Sequence, residues 1–188
     1  MSFAADNVRI LKNKYFKLGK EKMDEIHTML KERAEQAQKI LVGIGEEFQA
    51  GDSINADGRF SLERAYQSLS RLLCGRDYFV VTLQEKSELH SYDFEEERMT
   101  APCEDEEEQW KNYQDWLSGT LNKELLILEL GVGFTLPGII RWPFEKVAFY
   151  NNKAYLVRVH EKFPQLTSEL QQKGIAVRQN SVEFCANL

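Results

Sequence analysis

Leu125-Leu-Ile-Leu-Glu-Leu-Gly-Val-Gly-Phe-Thr-Leu-Pro137, followed by Gly138-Ile-Ile-Arg-Trp-Pro-Phe-Glu145, decides how this chain folds. A short apolar run ends in two glycines one residue apart, and a helix-like segment follows. That pattern predicts a buried parallel strand whose carboxyl end opens into a glycine-rich turn. In doubly wound α/β sheets, ligands bind outside the carboxyl ends of the strands. The segment therefore points to a nucleotide-type crevice.

Working outward, four more strands are expected: Lys39–Val42, Asp77–Thr82, Ala154–Val159 and Ile175–Val177. Asp77–Thr82 is rich in β-branched and aromatic residues. Between them lie helical patterns. The segment Phe3–Gln38 carries two apolar faces, with Gly19 between two helices. A helix from Ser61 places Leu62, Ala65, Leu69, Leu72 and Leu73 on one face. Others are predicted over the stretch holding Trp110, Tyr113, Trp116 and Leu117, over Ile139–Tyr150, and over Leu166–Lys173, where Gly174 would be the C-cap. Ala50–Arg59, with its glycines and aspartates, reads as a loop. Strands alternating with helices predict one Rossmann-like domain over 1–188. It would be a three-layer α/β fold with a mainly parallel sheet of five or six strands and a helical N-terminal extension over 1–38.

Composition narrows function. The 188 residues carry a net charge of −6, which argues against general nucleic-acid or anionic-membrane binding. No run approaches the roughly 18 apolar residues needed to span a bilayer, and the N-terminus lacks a secretion-signal pattern. A cytoplasmic location is the default expectation. Three cysteines, Cys74, Cys103 and Cys185, fit neither a disulfide framework nor a structural zinc site. They read as free thiols, two of them near predicted core segments. The block Glu95–Glu108 reads as a solvated loop and the acidic first turn of a helix. The sharper alternatives are a docking face for a protein partner and a cation site, but its acids lack a regular ligand spacing.

Five features could carry chemistry. Gly43-Ile-Gly45, after the first strand, would let backbone N–H groups approach a pyrophosphate, or form a structural turn. Glu46 and Glu47 follow it, and two carboxylates beside a pyrophosphate would repel it by roughly 1 kcal/mol or more each. Whether they point into the crevice or away from it is the hinge of the reading. Thr82–His90 brings polar residues, including Gln84 and His90, to the end of the second strand. Gly131, Gly133 and Phe134 expose backbone at the end of the third. His160 lies just past the fourth. Cys103 is flanked by acids, which disfavour a thiolate, so it reads as inert.

Together, three segments resemble the sirtuin family of NAD-dependent protein deacylases and ADP-ribosyltransferases. The likeness is to the bacterial branch whose strand reads Glu-Leu-Gly-Val-Gly-Phe, as at 129–134 here. The family's Gly-Ala-Gly corresponds to Gly43-Ile44-Gly45, its Thr-x-Asn-x-Asp stretch to Thr82-Leu83-Gln84-Glu85-Lys86, and its Ile-Asn after the fourth strand to Val159-His160. The resemblance implies a cofactor set of Gly43, Gly45, Gln84, Gly131, Gly133, Phe134 and His160, with NAD or ADP-ribose as ligand. The adenosine end would fall to Gly131, Gly133, Phe134 and His160.

The departures from the family are also specific. Gln84 replaces Asn and Lys86 replaces Asp. The region of the family's catalytic His holds Pro102-Cys103-Glu104, which offers no base. The zinc-ribbon cysteines are absent, and the acidic stretch stands in their place. General-base catalysis typically contributes 10²–10⁴-fold. Losing the base, the cofactor pair and the phosphate loop together predicts no useful turnover, no catalytic residue and no zinc. The expected protein is a sirtuin-like non-catalytic nucleotide-binding or regulatory module. The alternatives are an active NAD-dependent deacylase or ADP-ribosyltransferase, and an interaction scaffold using the acidic face.

Overall fold

The computed structural model describes residues 19–49, 56–104 and 107–188. The expected helix before Gly19, most of the 50–59 loop, and Asp105 and Glu106 of the acidic block lie outside them. In chain order the elements are α1 (Lys20–Gln36), β1 (Lys39–Ile44), α2 (Ala56–Leu73), β2 (Tyr78–Thr82), α3 (Lys86–His90) and β3 (Met99–Thr100). There follow α4 (Glu107–Ser118), β4 (Leu125–Leu130), α5 (Arg141–Tyr150), β5 (Ala154–Val159), β6 (Gly174–Val177) and α6 (Ser181–Ala186). The six strands form one all-parallel sheet in the order β3-β2-β1-β4-β5-β6. The strand order reverses between β1 and β4.

Both faces of the sheet are covered, which is why its strands read as continuous apolar runs. Strand side chains alternate between faces with period two. Ile40, Val42 and Ile44 of β1 and Leu126, Leu128 and Leu130 of β4 pack with α1, α2 and α6. Leu41 and Ile127 pack with Tyr113 of α4 and Ile140, Phe144 and Ala148 beside and within α5. Each face of the sheet thus carries its own cluster of buried apolar side chains.

Several boundaries differ from expectation for local physical reasons. The β1 strand runs on through Gly43 to Ile44, because Gly43 faces α5 and a β-carbon there would overlap Ile140 and Phe144. Helix α2 starts at Ala56, not at Ser61. Asp57 in its first turn favours the helix dipole and offsets the roughly 1 kcal/mol cost of Gly58. The helix expected over Leu166–Lys173 reduces to a single 3₁₀ turn, Ser168–Leu170. Leu166 and Leu170 already reach the α5-side core, and Thr167 is extended. Gly174 is no C-cap. It opens β6 opposite Leu156, where a β-carbon would overlap the Leu156 carbonyl oxygen.

The acidic stretch is not simply a solvated loop. It contains the edge strand β3, whose Met99 and Thr100 are buried against Val80 and Val81. Two residues between acids give no visible periodicity. Of the three free cysteines, only Cys185 is in the core; Cys74 and Cys103 are exposed. Among the described residues no helix is long and apolar enough to cross a membrane.

Candidate functional site

The carboxyl ends of β1 and β4 meet at the point where the strand order reverses, and that is where an open α/β sheet forms its crevice. Here the two ends are stitched together. Gly45 N–H donates to the Leu130 carbonyl at 2.8 Å, and Glu47 N–H to the Gly131 carbonyl at 3.3 Å. A β-carbon on Gly45 would overlap Gly131 and Val132 backbone, so only glycine permits this approach. Gln84 braces the turn from β2. Its side-chain amide donates to the Gly45 carbonyl at 2.8 Å, and its backbone N–H donates to Thr82 Oγ1 at 2.9 Å.

After Gly45 the chain makes one 3₁₀ turn, Glu46–Phe48. Phe48 is fully buried in the α2-side core, which fixes the direction of the two preceding side chains. Both point into the crevice. Glu46 Oε2 accepts from Gly133 N–H at 2.7 Å. Glu47 accepts from Glu161 N–H and Ser181 N–H, each at 2.8 Å, and its Oε1 lies 2.9 Å from His160 Nδ1. Three backbone N–H groups, one each from the turn after β4, the loop after β5 and the start of α6, are thus satisfied by the chain's own carboxylates.

The electrostatics follow. Burial pushes the Glu46 carboxyl up, but the donors of Gly133, of its own backbone and of Thr135 outweigh it and hold it below 4.5. Burial likewise opposes ionisation of Glu47, yet His160 and the N–H groups of Glu161 and Ser181 hold it below 4.5 as well. The folded chain therefore binds these protons less readily than the unfolded chain. The stability they confer is complete above about pH 5 and is lost as pH falls through the folded values. Urea unfolding between about pH 6 and about pH 3 should show this loss, and Glu47→Gln should flatten part of the slope. An unchanged slope in that variant would mean that Glu47 is not ionised in the fold.

The remaining expected residues divide in two. Gly131 holds φ +65°. A β-carbon there would stand 2.5 Å from Ser181 Oγ and 2.6 Å from Glu47 Cβ. Gly133, Phe134 and His160 share the open side of the crevice. Phe134 is 55% exposed and Phe163 40%. The two rings meet edge to face at 5.3 Å, and His160 meets Phe163 at 5.1 Å. Arg141 lays its guanidinium 4.4 Å from the Phe134 ring centre. By contrast, Gly43 lies inside β1 beneath α5, away from the others. Lys86 is buried at the start of α3, 3.8 Å from Glu96, while His90 and Cys103 are exposed.

A buried ionic cluster supports the crevice wall, and sequence reading missed it. Glu129 and Arg158 are register partners on β4 and β5, both fully buried. Arg158 donates to Glu129 at 2.7 and 2.8 Å and to Glu145 at 2.8 Å. Arg141 reaches Glu129 at 3.4 Å and donates to the Val132 carbonyl at 2.9 Å and the Phe163 carbonyl at 3.1 Å. Burial pushes the Glu129 carboxyl up, against the pull of Arg158 and Arg141. The available signal was a lone acid and a lone base, each in an otherwise apolar strand. Among the described residues no three His, Cys, Asp or Glu side chains converge as a metal site.

Strand order and crevice define a three-layer, Rossmann-like α/β protein. No family model matches the chain. Over 62 residues it is 44% identical to a probable bifunctional ADP-ribose hydrolase/ADP-ribosyltransferase of Fusarium oxysporum f. sp. cubense. That likeness covers 31% of this chain and 10% of the fungal protein.

Proposed function

We propose that this chain is a sirtuin-like module that binds or regulates without turning over NAD. One observation carries the reading: Glu46 and Glu47 point into the crevice and hold the N–H groups of Gly133, Glu161 and Ser181. A pyrophosphate would need such donors, and it would meet two anions in a partly dry site instead. Gln84, at the position of a family cofactor amide, donates its side-chain N–H to Gly45. The partial likeness to a protein named for ADP-ribose chemistry supports an ADP-ribose-related ancestry. Zinc has no part in this reading.

The same likeness favours a second reading, an active NAD-dependent deacylase or ADP-ribosyltransferase that uses Gln84. Nicotinamide release from NAD separates the two, measured at high protein concentration with a range of acceptor proteins. The non-catalytic reading expects none; sustained release would replace it with the enzyme. A cytoplasmic location and a protein partner on the Glu95–Glu108 face complete the proposal. If that face docks a partner, neutralising its exposed acids should weaken binding and flatten its salt dependence.

A further inference from the structure

Helix α5 is held to the sheet by Phe144 and Ala148. Its other side carries Trp142, Lys146, Phe149 and Tyr150, which recur at helical spacing as one stripe. A surface helix ordinarily turns polar residues outward. Here Trp142 is 53% exposed, Phe149 50% and Tyr150 71%. Leu136 and Leu121 are exposed as well, one at each end of the helix. The turn after Leu136 folds back on the helix start, where Trp142 N–H donates to the Pro137 carbonyl at 2.9 Å. Beside Leu121, the Thr120 carbonyl accepts from the Asn151 side chain at 2.9 Å. Among the described residues only one other large apolar side chain this exposed, Phe60, lies away from both this face and the crevice.

The stripe is held in place before any partner arrives. Lys173 Nζ donates to the carbonyls of Ala148, Phe149 and Asn151 at 3.2, 2.8 and 3.4 Å, which fixes the carboxyl end of α5. The Phe149 and Tyr150 rings meet edge to face at 5.2 Å. Such preordering lowers the entropy cost of association. At about 200 Å² for a whole aromatic side chain, the three rings leave roughly 350 Å² bare. With Leu121, Leu136 and the Lys146 stem the face comes to roughly 600 Å², the upper end of what a monomer leaves bare and about what each partner gives to the smaller specific interfaces.

Charge and spacing select the occupant. Lys146 is the one exposed charge of α5, because Arg141 is buried and Glu145 is turned to Arg158 at 2.8 Å. The chain as a whole carries −6, which disfavours an anionic lipid surface. Trp142 and Tyr150 stand four residues to either side of Lys146, so the stripe reads alike in both directions. That is what a two-fold contact needs, since it uses one self-complementary patch twice. We propose that α5 is the docking face for a second copy of this chain. The two α5 helices pack antiparallel about an axis beside Lys146, each Trp142 on the partner's Tyr150. Each Lys146 lays its stem across the partner's Phe149. This inference is independent of what the crevice binds.

Sedimentation velocity of the full chain, from about 1 μM to about 200 μM, tests this, and the mass should double with a Kd below about 100 μM. Tyr150→Glu and Trp142→Glu each put a carboxylate into the apolar contact and should weaken dimerisation at least about tenfold. Both sites are exposed, so the melting temperature of either variant at the dilute end should match that of the unaltered chain. Phe60→Glu, at an equally bare ring on α2, should leave the dimer intact. A chain that stays monomeric throughout would overturn the inference, as would a dimer that neither α5 variant weakens or that Phe60→Glu weakens as much. Flotation with vesicles of equal parts phosphatidylcholine and phosphatidylserine supplies the last arm. The chain should stay with the solution; a monomer that floats, and that Trp142→Glu releases, would give the face to a membrane instead and overturn the inference. Nicotinamide release would remove the non-catalytic reading and leave the dimer standing.

Discussion

Glu129→Ala is expected to destabilise the fold by about 3–5 kcal/mol, the cost of breaking a buried ion pair by removing one partner. Arg158 has no exposure. Without Glu129 its guanidinium keeps Glu145 and the Gln165 carbonyl but loses two bonds of 2.7 and 2.8 Å. Arg141, still charged a short distance away, then repels it. For a chain of this length the melting temperature should fall by roughly 10 °C. Replacing the pair together, Glu129→Leu with Arg158→Leu, leaves Arg141 and Glu145 as opposite charges and should recover much of the loss. Equal destabilisation by the single and the double change would show that the cluster acts by shape and not by charge. Arg141 also ties down Val132 and Phe163 through their carbonyls. The single variant should therefore loosen both walls of the crevice.

Gly131→Ala is the second large effect. The residue holds φ +65°, a left-handed conformation that costs an L-residue roughly 1–2 kcal/mol. Its β-carbon would also press on Ser181 Oγ and Glu47 Cβ at 2.5 and 2.6 Å, and overpacking of this kind typically costs about 1–3 kcal/mol. Together these predict a loss of about 2–5 kcal/mol by urea unfolding. Glu47 should be pushed off Ser181 N–H, so the acid-side stability slope should flatten as it does in Glu47→Gln. Gly133, two residues on, serves as the contrast: its β-carbon meets nothing closer than 3.4 Å. A Gly131→Ala protein as stable as the unaltered chain would contradict the packing described around Glu47.

Much of this architecture was written in the sequence. The runs at β1, β2, β4 and β5 were legible because a parallel strand covered on both faces must be apolar almost throughout. For β5 even the bounds, Ala154–Val159, were readable. The two-residue β3 was not, because Met99 and Thr100 are too short to show a period and stand beside three glutamates. Gly174 looked like a helix stop because glycine suits a C-cap. Its actual reason, the close passage of Leu156 on the neighbouring strand, is a tertiary fact.

The site was legible in its glycines and not in its charges. Gly45 and Gly131 mark where β1 and β4 approach each other, and glycine spacing after apolar runs signals such places. Which way Glu46 and Glu47 point depends on Phe48 filling the core, and on Glu161 and Ser181 arriving from more than 100 residues away. No local pattern encodes that. The pairing of Glu129 with Arg158 depends likewise on the register of β4 against β5.

The central claim is that the chain's own carboxylates close the phosphate positions of a Rossmann-like crevice. Calorimetric titration of the intact chain with NAD tests it most directly. The account predicts no heat of binding up to millimolar NAD, because a pyrophosphate would have to displace Glu46 from Gly133 and Glu47 from Glu161 and Ser181. Micromolar binding would contradict it and would mean that both carboxylates swing aside for the dinucleotide.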